Sequence, residues 1–166
     1  MAYKPRRPAQ LPATFAPNCN KIPVMSKENA VRHLSPREAW DMMQADPSVT
    51  LIDVRSDMEF LMIGHPRGAV NVAWIDAPNW TVNEAFVANV RKALLGRVAS
   101  QGRQTQPLLL ICRSGNRSAD AALALEQEGL TDVYVVKGGF EGPLDDEHHR
   151  NTVSGWRHAG LPWEQC

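Results

Sequence analysis

The sequence predicts an α/β domain with a mostly parallel central sheet and helices on both faces. Short, largely apolar segments recur at residues 49–54, 108–111 and 133–136 and are typical of strands buried on both sides. Segments with helix-start signals alternate with these strands, which favours parallel rather than antiparallel pairing. With 166 residues, the chain is long enough for one such domain with a hydrophobic core.

Capping boxes predict where the helices begin. In this pattern Ser or Thr is followed three residues later by Glu, and each side chain binds the other residue's backbone N–H. Three segments fit the pattern: Ser35–Glu38, Ser56–Glu59 and Thr81–Glu84. We expect the first helix to stop at Asp46-Pro47 and the second to end at Gly64. A strand over residues 69–73 and a helix over residues 119–128 complete the predicted pattern.

The first 29 residues differ from the rest in composition. They contain five of the twelve prolines and have five basic residues against one acidic residue, a net charge of +4. They show no helical or strand period, so we expect residues 1–29 to form a Pro-rich basic arm and residues 30–166 to form the domain. The arm is either a solvated tail or a docking segment that packs on its own domain or on a second subunit, giving a homo-oligomer. Cys19 lies on it, either as an incidental thiol or as a resolving one.

Charge, hydropathy and cysteine count limit the partners. Eighteen basic residues balance eighteen acidic ones, so nothing global favours nucleic acid or an anionic membrane. No apolar run approaches the length of a membrane-spanning helix, and the N-terminus lacks the apolar stretch of a secretory signal. The three cysteines, at 19, 112 and 166, have no paired spacing. They predict a reducing compartment, the cytoplasm, with neither a disulfide framework nor a metal site.

Cys112 has the most informative surroundings in the chain. It ends the apolar segment 108–111 and is followed by the polar segment Arg113–Ser118, which leads into the predicted helix. Peptide N–H groups and the positive end of that helix face the strand end, and two arginines add full charges. Such surroundings lower the pKa of a thiol and produce a nucleophilic thiolate. We therefore expect an exposed, reactive thiol rather than a small, inert core residue.

Loop length separates two kinds of cysteine chemistry. Phosphatases with a cysteine nucleophile place five residues between Cys and Arg, usually with His before the Cys. Here four residues separate Cys112 from Arg117, and Ile111 precedes the cysteine. The shorter loop suits one sulfur atom, held on Cys112 as a persulfide, better than a phosphoryl group. A phosphatase or arsenate reductase is therefore the least favoured class.

Two further motifs accompany the Cys112 loop in a fixed order. The first is Leu51–Arg55 followed by Glu59-Phe60, and the other is Val136–Phe140 followed by Trp156 and Gly160-Leu161-Pro162. Together the three motifs resemble the rhodanese family of thiosulfate and thiol sulfurtransferases, in its single-domain form, over roughly residues 35–163. The resemblance implies a three-layer rhodanese-like fold and a Cys112 persulfide. It implies no metal or organic cofactor.

The resemblance also implies how the site residues work. Cys112 is the nucleophile, and Arg113 and Arg117 are expected to attract a donor sulfonate. The residues expected to bind substrate are Arg113, Ser114, Gly115, Asn116, Arg117 and Ser118. Three further pocket candidates each have an alternative: Lys137 as a solvated turn residue, and Asp53 with Arg55 as support for the loop. By resemblance, Arg55 is expected to pair with an acid such as Glu59.

Two functions stay open at this point besides the phosphatase class. The first is an enzyme that moves sulfane sulfur from thiosulfate or a persulfide to cyanide, glutathione, thioredoxin or a similar acceptor. The second is a persulfide relay, a sulfur-carrier protein with low turnover of small molecules, for which the basic arm and Arg67 would supply a docking surface. Neither requires nucleic acid or a membrane.

Overall fold

The computed structural model describes residues 31–98 and 106–166. The predicted arm, with Cys19, lies outside these residues. In chain order the elements are β1 Arg32–Leu34, α1 Pro36–Ala45, β2 Thr50–Asp53, α2 Asp57–Ile63, β3 His65–Pro66, β4 Val70–Asn71, β5 Ile75–Asp76, β6 Thr81–Val82, α3 Phe86–Val98, β7 Leu108–Ile111, α4 Asn116–Gln127, β8 Val133–Val136 and β9 Trp163–Glu164. No helix within the described ranges has the length and apolarity to cross a membrane.

The main sheet contains five parallel strands in the order β1, β8, β7, β2, β4. From β2 the chain continues to β4 on one side, whereas from β7 it continues to β8 on the other. Because these connections diverge, a crevice opens beyond the carboxyl ends of β2 and β7, where parallel α/β sheets bind ligands. Arg55 follows β2 and Cys112 follows β7, so both motifs meet at this crevice.

Two apolar layers cover the sheet, one on each face. Along β7, Leu108 and Leu110 pack with α3 and α4 residues, and Cys112 belongs to the same cluster. Leu109 and Ile111 face the opposite side and pack with α1 and the C-terminal Trp156. This alternation follows from the two-residue period of a strand, and the near-complete burial of both sets is typical of a central parallel strand. The predicted three-layer α/β fold is confirmed.

Two of the three predicted capping boxes form. Ser35 and Glu38 bind each other's backbone N–H groups, and Ser56 and Glu59 do the same at the start of α2. The third prediction is wrong, because residues Thr81–Val82 form a strand that pairs antiparallel with Ile75–Asp76. The helix begins later, at Phe86. Asn83 turns the chain there by accepting a hydrogen bond from the Ala85 N–H, 3.0 Å long.

The helix after Cys112 begins earlier than the sequence predicts. It starts at Asn116 rather than Ala119, so Arg117 and Ser118 belong to its first turn. Gly115 precedes it in the left-handed conformation, with φ of 113°, which a residue with a side chain adopts only under strain. The left-handed residue lets the helix begin immediately behind the cysteine. Half of the predicted loop is therefore helical.

Candidate active site

Three groups surround the sulfur of Cys112. The Gly115 N–H donates to Sγ over 3.1 Å. Ser118 Oγ lies 3.3 Å from Sγ and 3.0 Å from the Gly115 carbonyl oxygen, so its proton can be donated to either. The N-terminus of α4, which is the positive end of the helix dipole, starts at Asn116, next to Gly115. Each of these features stabilises negative charge on sulfur at this position.

The thiol is buried, which corrects the expectation of an exposed one. Only 1% of the Cys112 surface is accessible. Its side chain lies on the same face of β7 as Leu108 and Leu110 and packs against residues of α4. Ser118 is buried as well. Asn116 is exposed, whereas Arg113, Ser114, Gly115 and Arg117 are half-buried, and together they separate the sulfur from solvent. A donor therefore meets the loop before it meets the sulfur.

A glycine-rich segment after β8 supports the loop from below. The N–H of Phe140 donates to the Cys112 carbonyl oxygen over 2.7 Å, and those of Glu141 and Gly142 donate to the Arg113 carbonyl oxygen. Gly139 permits this approach, because a Cβ there would lie 2.4 Å from the Cys112 oxygen, and its φ is +62°. The C-terminal motif thus fixes the backbone that carries the thiol.

Both loop arginines bind one carboxylate. Arg117 donates from Nη1 to Glu59 Oε2 over 2.6 Å and from Nη2 to Oε1 over 2.8 Å, a two-pronged pair. Arg113 Nη2 lies 2.8 Å from the same Oε1. From the sequence these arginines are expected to meet a donor sulfonate, but in the structure their partner is Glu59 of α2. Glu59 enters the site because α2 begins at the crevice end of β2.

Electrostatics hold Glu59 and Arg117 in their charged forms. Burial alone raises the pKa of Glu59, but the hydrogen bond and charge of Arg117, helped by Ser56 and Arg113, outweigh it and lower the pKa to about 2. The Glu59 hydrogen bond in turn raises the pKa of Arg117, against the opposing effect of burial. The thiol therefore lies beside a fully ionised pair.

Glu141 is a further acid at the site, and sequence reasoning missed it. Its Oε1 lies 3.5 Å from Arg113 Nε. Both atoms are buried, and neither has a hydrogen-bond partner. Only its position after the Gly138-Gly139-Phe140 segment could have indicated Glu141, since that segment underlies the loop. Glu59 carried a stronger signal, as the last residue of a capping box, but Arg55 was wrongly predicted as its partner.

Asp53 and Arg55 form a sealed ion pair beneath the site. Arg55 Nη2 lies 2.6 Å from Asp53 Oδ2, and neither side chain has any exposed surface. Arg55 also donates to the Gly64 carbonyl oxygen and lies over the Phe140 ring, 4.4 Å from its centroid. The expected Arg55–Glu59 pair is therefore wrong. Asp53, only two residues away, accepts hydrogen bonds from Nε and Nη2 of Arg55. These two residues therefore support the crevice and do not line its accessible surface.

The hydrogen bonds to the sulfur come from Gly115 and Ser118 and involve neither Lys137 nor the residues that line a separate cavity. Lys137 is exposed after β8, and its charge acts on Glu38 of α1, where it adds to the larger effect of the Ser35 hydrogen bonds in lowering the pKa of Glu38. A cavity of about 690 Å³ lies beside the start of α2, between Asp57, Asp76 and Lys92. Its lining includes no residue of the 112–118 segment. Within the described part of the chain, no three potential metal ligands come together.

This combination of fold and cysteine loop defines a class. The family model described as a rhodanese-like domain matches residues 35–144, which is more than half of the chain. The chain therefore belongs to the rhodanese-like domain family.

Individual relatives agree with this assignment. The crystal structure of Rv0390 from M. tuberculosis is 37% identical, with a TM-score of 0.69 over 82% of this chain and 98% of that one. Thiosulfate sulfurtransferase GlpE of Glaesserella parasuis serovar 5 is 30% identical over 120 residues, covering 72% of this chain and 93% of its own. An uncharacterized protein of Rickettsia conorii is 27% identical over 135 residues, covering 81% and 98%. The family match and the similarity to thiosulfate sulfurtransferase GlpE support a sulfurtransferase-type enzyme.

Proposed function

We propose that this chain is a sulfurtransferase that carries sulfane sulfur on Cys112, from a thiosulfate or persulfide donor to a thiol or cyanide acceptor. One observation carries the proposal: the Cys112 sulfur accepts the Gly115 N–H over 3.1 Å at the positive end of α4. This arrangement stabilises a thiolate before reaction and a persulfide anion after it. The six loop residues 113–118 are the proposed substrate-binding residues.

The proposed reaction has two steps. The Cys112 thiolate attacks the outer sulfur of the donor, a new S–S bond forms, and the donor S–S bond breaks. Its electron pair leaves with sulfite, or with a thiolate when the donor is a persulfide. An acceptor nucleophile then attacks the outer sulfur, and the Cys112 thiolate leaves. Because each step moves one sulfur atom with no net oxidation, the chemistry needs no redox cofactor.

A persulfide relay is the second candidate, and one surface favours it. Met58, Leu61 and Met62 are exposed on α2, the helix whose Glu59 binds the loop arginines. Exposed apolar side chains of this kind are typical of protein contacts. A protein acceptor such as thioredoxin or a sulfur carrier would dock there.

The cytoplasm stays the predicted location, and association through residues 1–29 stays a prediction.

Intact-mass analysis after incubation with thiosulfate or an organic persulfide tests the proposal. We expect the protein to gain the mass of one sulfur atom, and Cys112→Ser to gain none. Turnover with cyanide should fall at least about a thousandfold in that variant, because the nucleophile is lost. Cys166→Ser is the matched control, since Cys166 is an exposed thiol at the C-terminus. Retained turnover in Cys112→Ser would refute the assignment.

Kinetics separate the enzyme from the relay. An enzyme turns over small donors and acceptors repeatedly, whereas a relay loads Cys112 readily but releases sulfur slowly unless its protein partner is present. Single-turnover loading and steady-state release are therefore measured on the same preparation. Met62→Ser is informative here: it should slow transfer to a thiol protein and leave transfer to cyanide unchanged if α2 is a docking surface.

A further inference from the structure

We infer that Glu59 and Glu141 set the donor preference of this site, selecting persulfides on organic thiols over the sulfonate-bearing thiosulfate dianion. The inference rests on the proposed function and names the class of donor within it. It follows from the arginines at the loop, which are already occupied by carboxylates of the protein.

The charges near the loop cancel. Arg113 and Arg117 supply two positive charges, and Glu59 and Glu141 supply two negative ones within 2.6–3.5 Å. An approaching dianion therefore meets no net positive charge from these four side chains. Charged groups attract a distant ligand through their sum, so the loop provides little electrostatic steering for thiosulfate.

Geometry adds to this effect. Both oxygens of Glu59 bind Arg117, and Ser56 donates to one of them from its backbone N–H and from its hydroxyl. A sulfonate could take the two-pronged position on Arg117 only by displacing Glu59. The displaced carboxylate would stay charged and partly buried, because it is anchored at the start of α2. Breaking such a pair is unfavourable, so binding of the sulfonate is opposed.

A persulfide donor avoids this competition. The Cys112 thiolate attacks its outer sulfur, the bond between the two donor sulfurs breaks, and the electron pair leaves with the organic thiolate. That thiolate takes the proton of the outer sulfur, leaving a Cys112 persulfide anion beside the Gly115 N–H and Ser118 Oγ. No sulfonate has to be accommodated, and no oxidant or reductant is consumed.

Glu141 is the residue through which the preference can be changed. Its Oε1 and Arg113 Nε are buried 3.5 Å apart, and neither makes a hydrogen bond. Glu59, in contrast, also caps α2, so a change there would alter the helix and the charge together. Glu141→Gln removes one negative charge while keeping the shape of the side chain. Arg113, Arg117 and Glu59 then have a net charge of +1 together.

The experiment compares kcat/KM for thiosulfate and for glutathione persulfide, with cyanide as the acceptor. We expect Glu141→Gln to raise the thiosulfate value about tenfold and to change the persulfide value less than about threefold. Glu141→Asp, which keeps the charge, should keep the wild-type ratio. Asp120→Asn on α4 is the matched control for loss of one exposed carboxylate. In wild type, the thiosulfate value should change less than about twofold as salt rises from roughly 0.05 to 0.5 M.

The outcomes distinguish this inference from the proposed function. If Cys112 is loaded but Glu141→Gln changes both donors equally, or resembles Asp120→Asn, the donor preference is not set by these acids and the inference is overturned. A steep fall with salt in the wild-type kcat/KM for thiosulfate would also overturn the inference, since it would show that the site attracts the dianion through a net positive charge. If neither donor adds sulfur to Cys112, the proposed function fails and takes the inference with it.

Discussion

Two arginine–carboxylate pairs at the same crevice differ in one respect. Arg55 and Asp53 approach to 2.6 Å, and so do Arg117 and Glu59. The first pair has no exposed side-chain surface, whereas Arg117 and Glu59 are 24% and 11% exposed. The chemistry and the distance are the same, but only the second pair can act on a molecule that arrives from solvent.

The difference shows that solvent access, rather than residue type, separates support from function here. Arg55 of the sealed pair also contacts the Gly64 carbonyl oxygen and the Phe140 ring. Both charged groups therefore interact only with the interior of the protein. A sealed pair adds little net stability over apolar residues, but either partner left alone is costly. The open pair, Arg117 and Glu59, lies at the loop that carries the reactive sulfur. The net charge of its side chains affects which ligands the loop attracts.

Breaking the sealed pair should have the largest effect on stability. Asp53→Asn leaves the Arg55 guanidinium buried without its counter-charge, so we expect the free energy of unfolding to fall by about 3–5 kcal/mol. Urea denaturation of wild type and variant measures the difference. A loss below about 1 kcal/mol would show that water or another group compensates the buried charge, and the comparison would lose its basis.

The open pair should contribute less, and its contribution should depend on pH. The pKa of Glu59 lies at about 2 in the folded protein against an ordinary value of 4.5. The carboxylate is therefore favoured by folding, and the stabilisation is complete above about pH 5 and disappears as the pH falls toward 2. After allowance for solvent screening of the partly exposed partners, we expect about 2 kcal/mol.

The measurement is the stability difference between wild type and Glu59→Gln at neutral and acidic pH. Glutamine does not titrate, so the difference should shrink as the pH is lowered from 7 to about 3. A difference that stays constant over this range would mean that Glu59 acts through its capping hydrogen bonds with Ser56 alone. The charge of Glu59 would then contribute nothing to stability, and the Arg117–Glu59 pair could not be compared with the Arg55–Asp53 pair as an ion pair.

A surface pair should have the smallest effect and sets the scale for the other two. Arg91 Nη2 and Glu128 Oε2 are 3.5 Å apart, and both side chains are exposed. Glu128→Gln should change the free energy of unfolding by less than about 0.5 kcal/mol, because water screens the pair. Thermal unfolding at low and high salt checks this expectation. An effect as large as that of Glu59→Gln would show that burial does not govern these pairs.

Local signals in the sequence predicted the elements that depend on neighbouring residues. The boxes at Ser35 and Ser56 formed as predicted, because their hydrogen bonds span three residues. The box at Thr81 did not form, because Thr81 and Val82 pair as a strand with Ile75–Asp76. The early start of α4 at Asn116 depended on the left-handed Gly115, which the sequence allowed without requiring it.

The sequence by itself determined the alternation of strands and helices and placed Cys112 at the end of a buried strand before a polar helix start. Apolar period and loop composition carry that information within a few residues. Only the tertiary structure decided which acids neutralise the loop arginines. Arg117 and Glu59 are 58 residues apart and meet because β2 and β7 are adjacent in the sheet. Charge pairing over such separations depends on strand order, which no local pattern encodes.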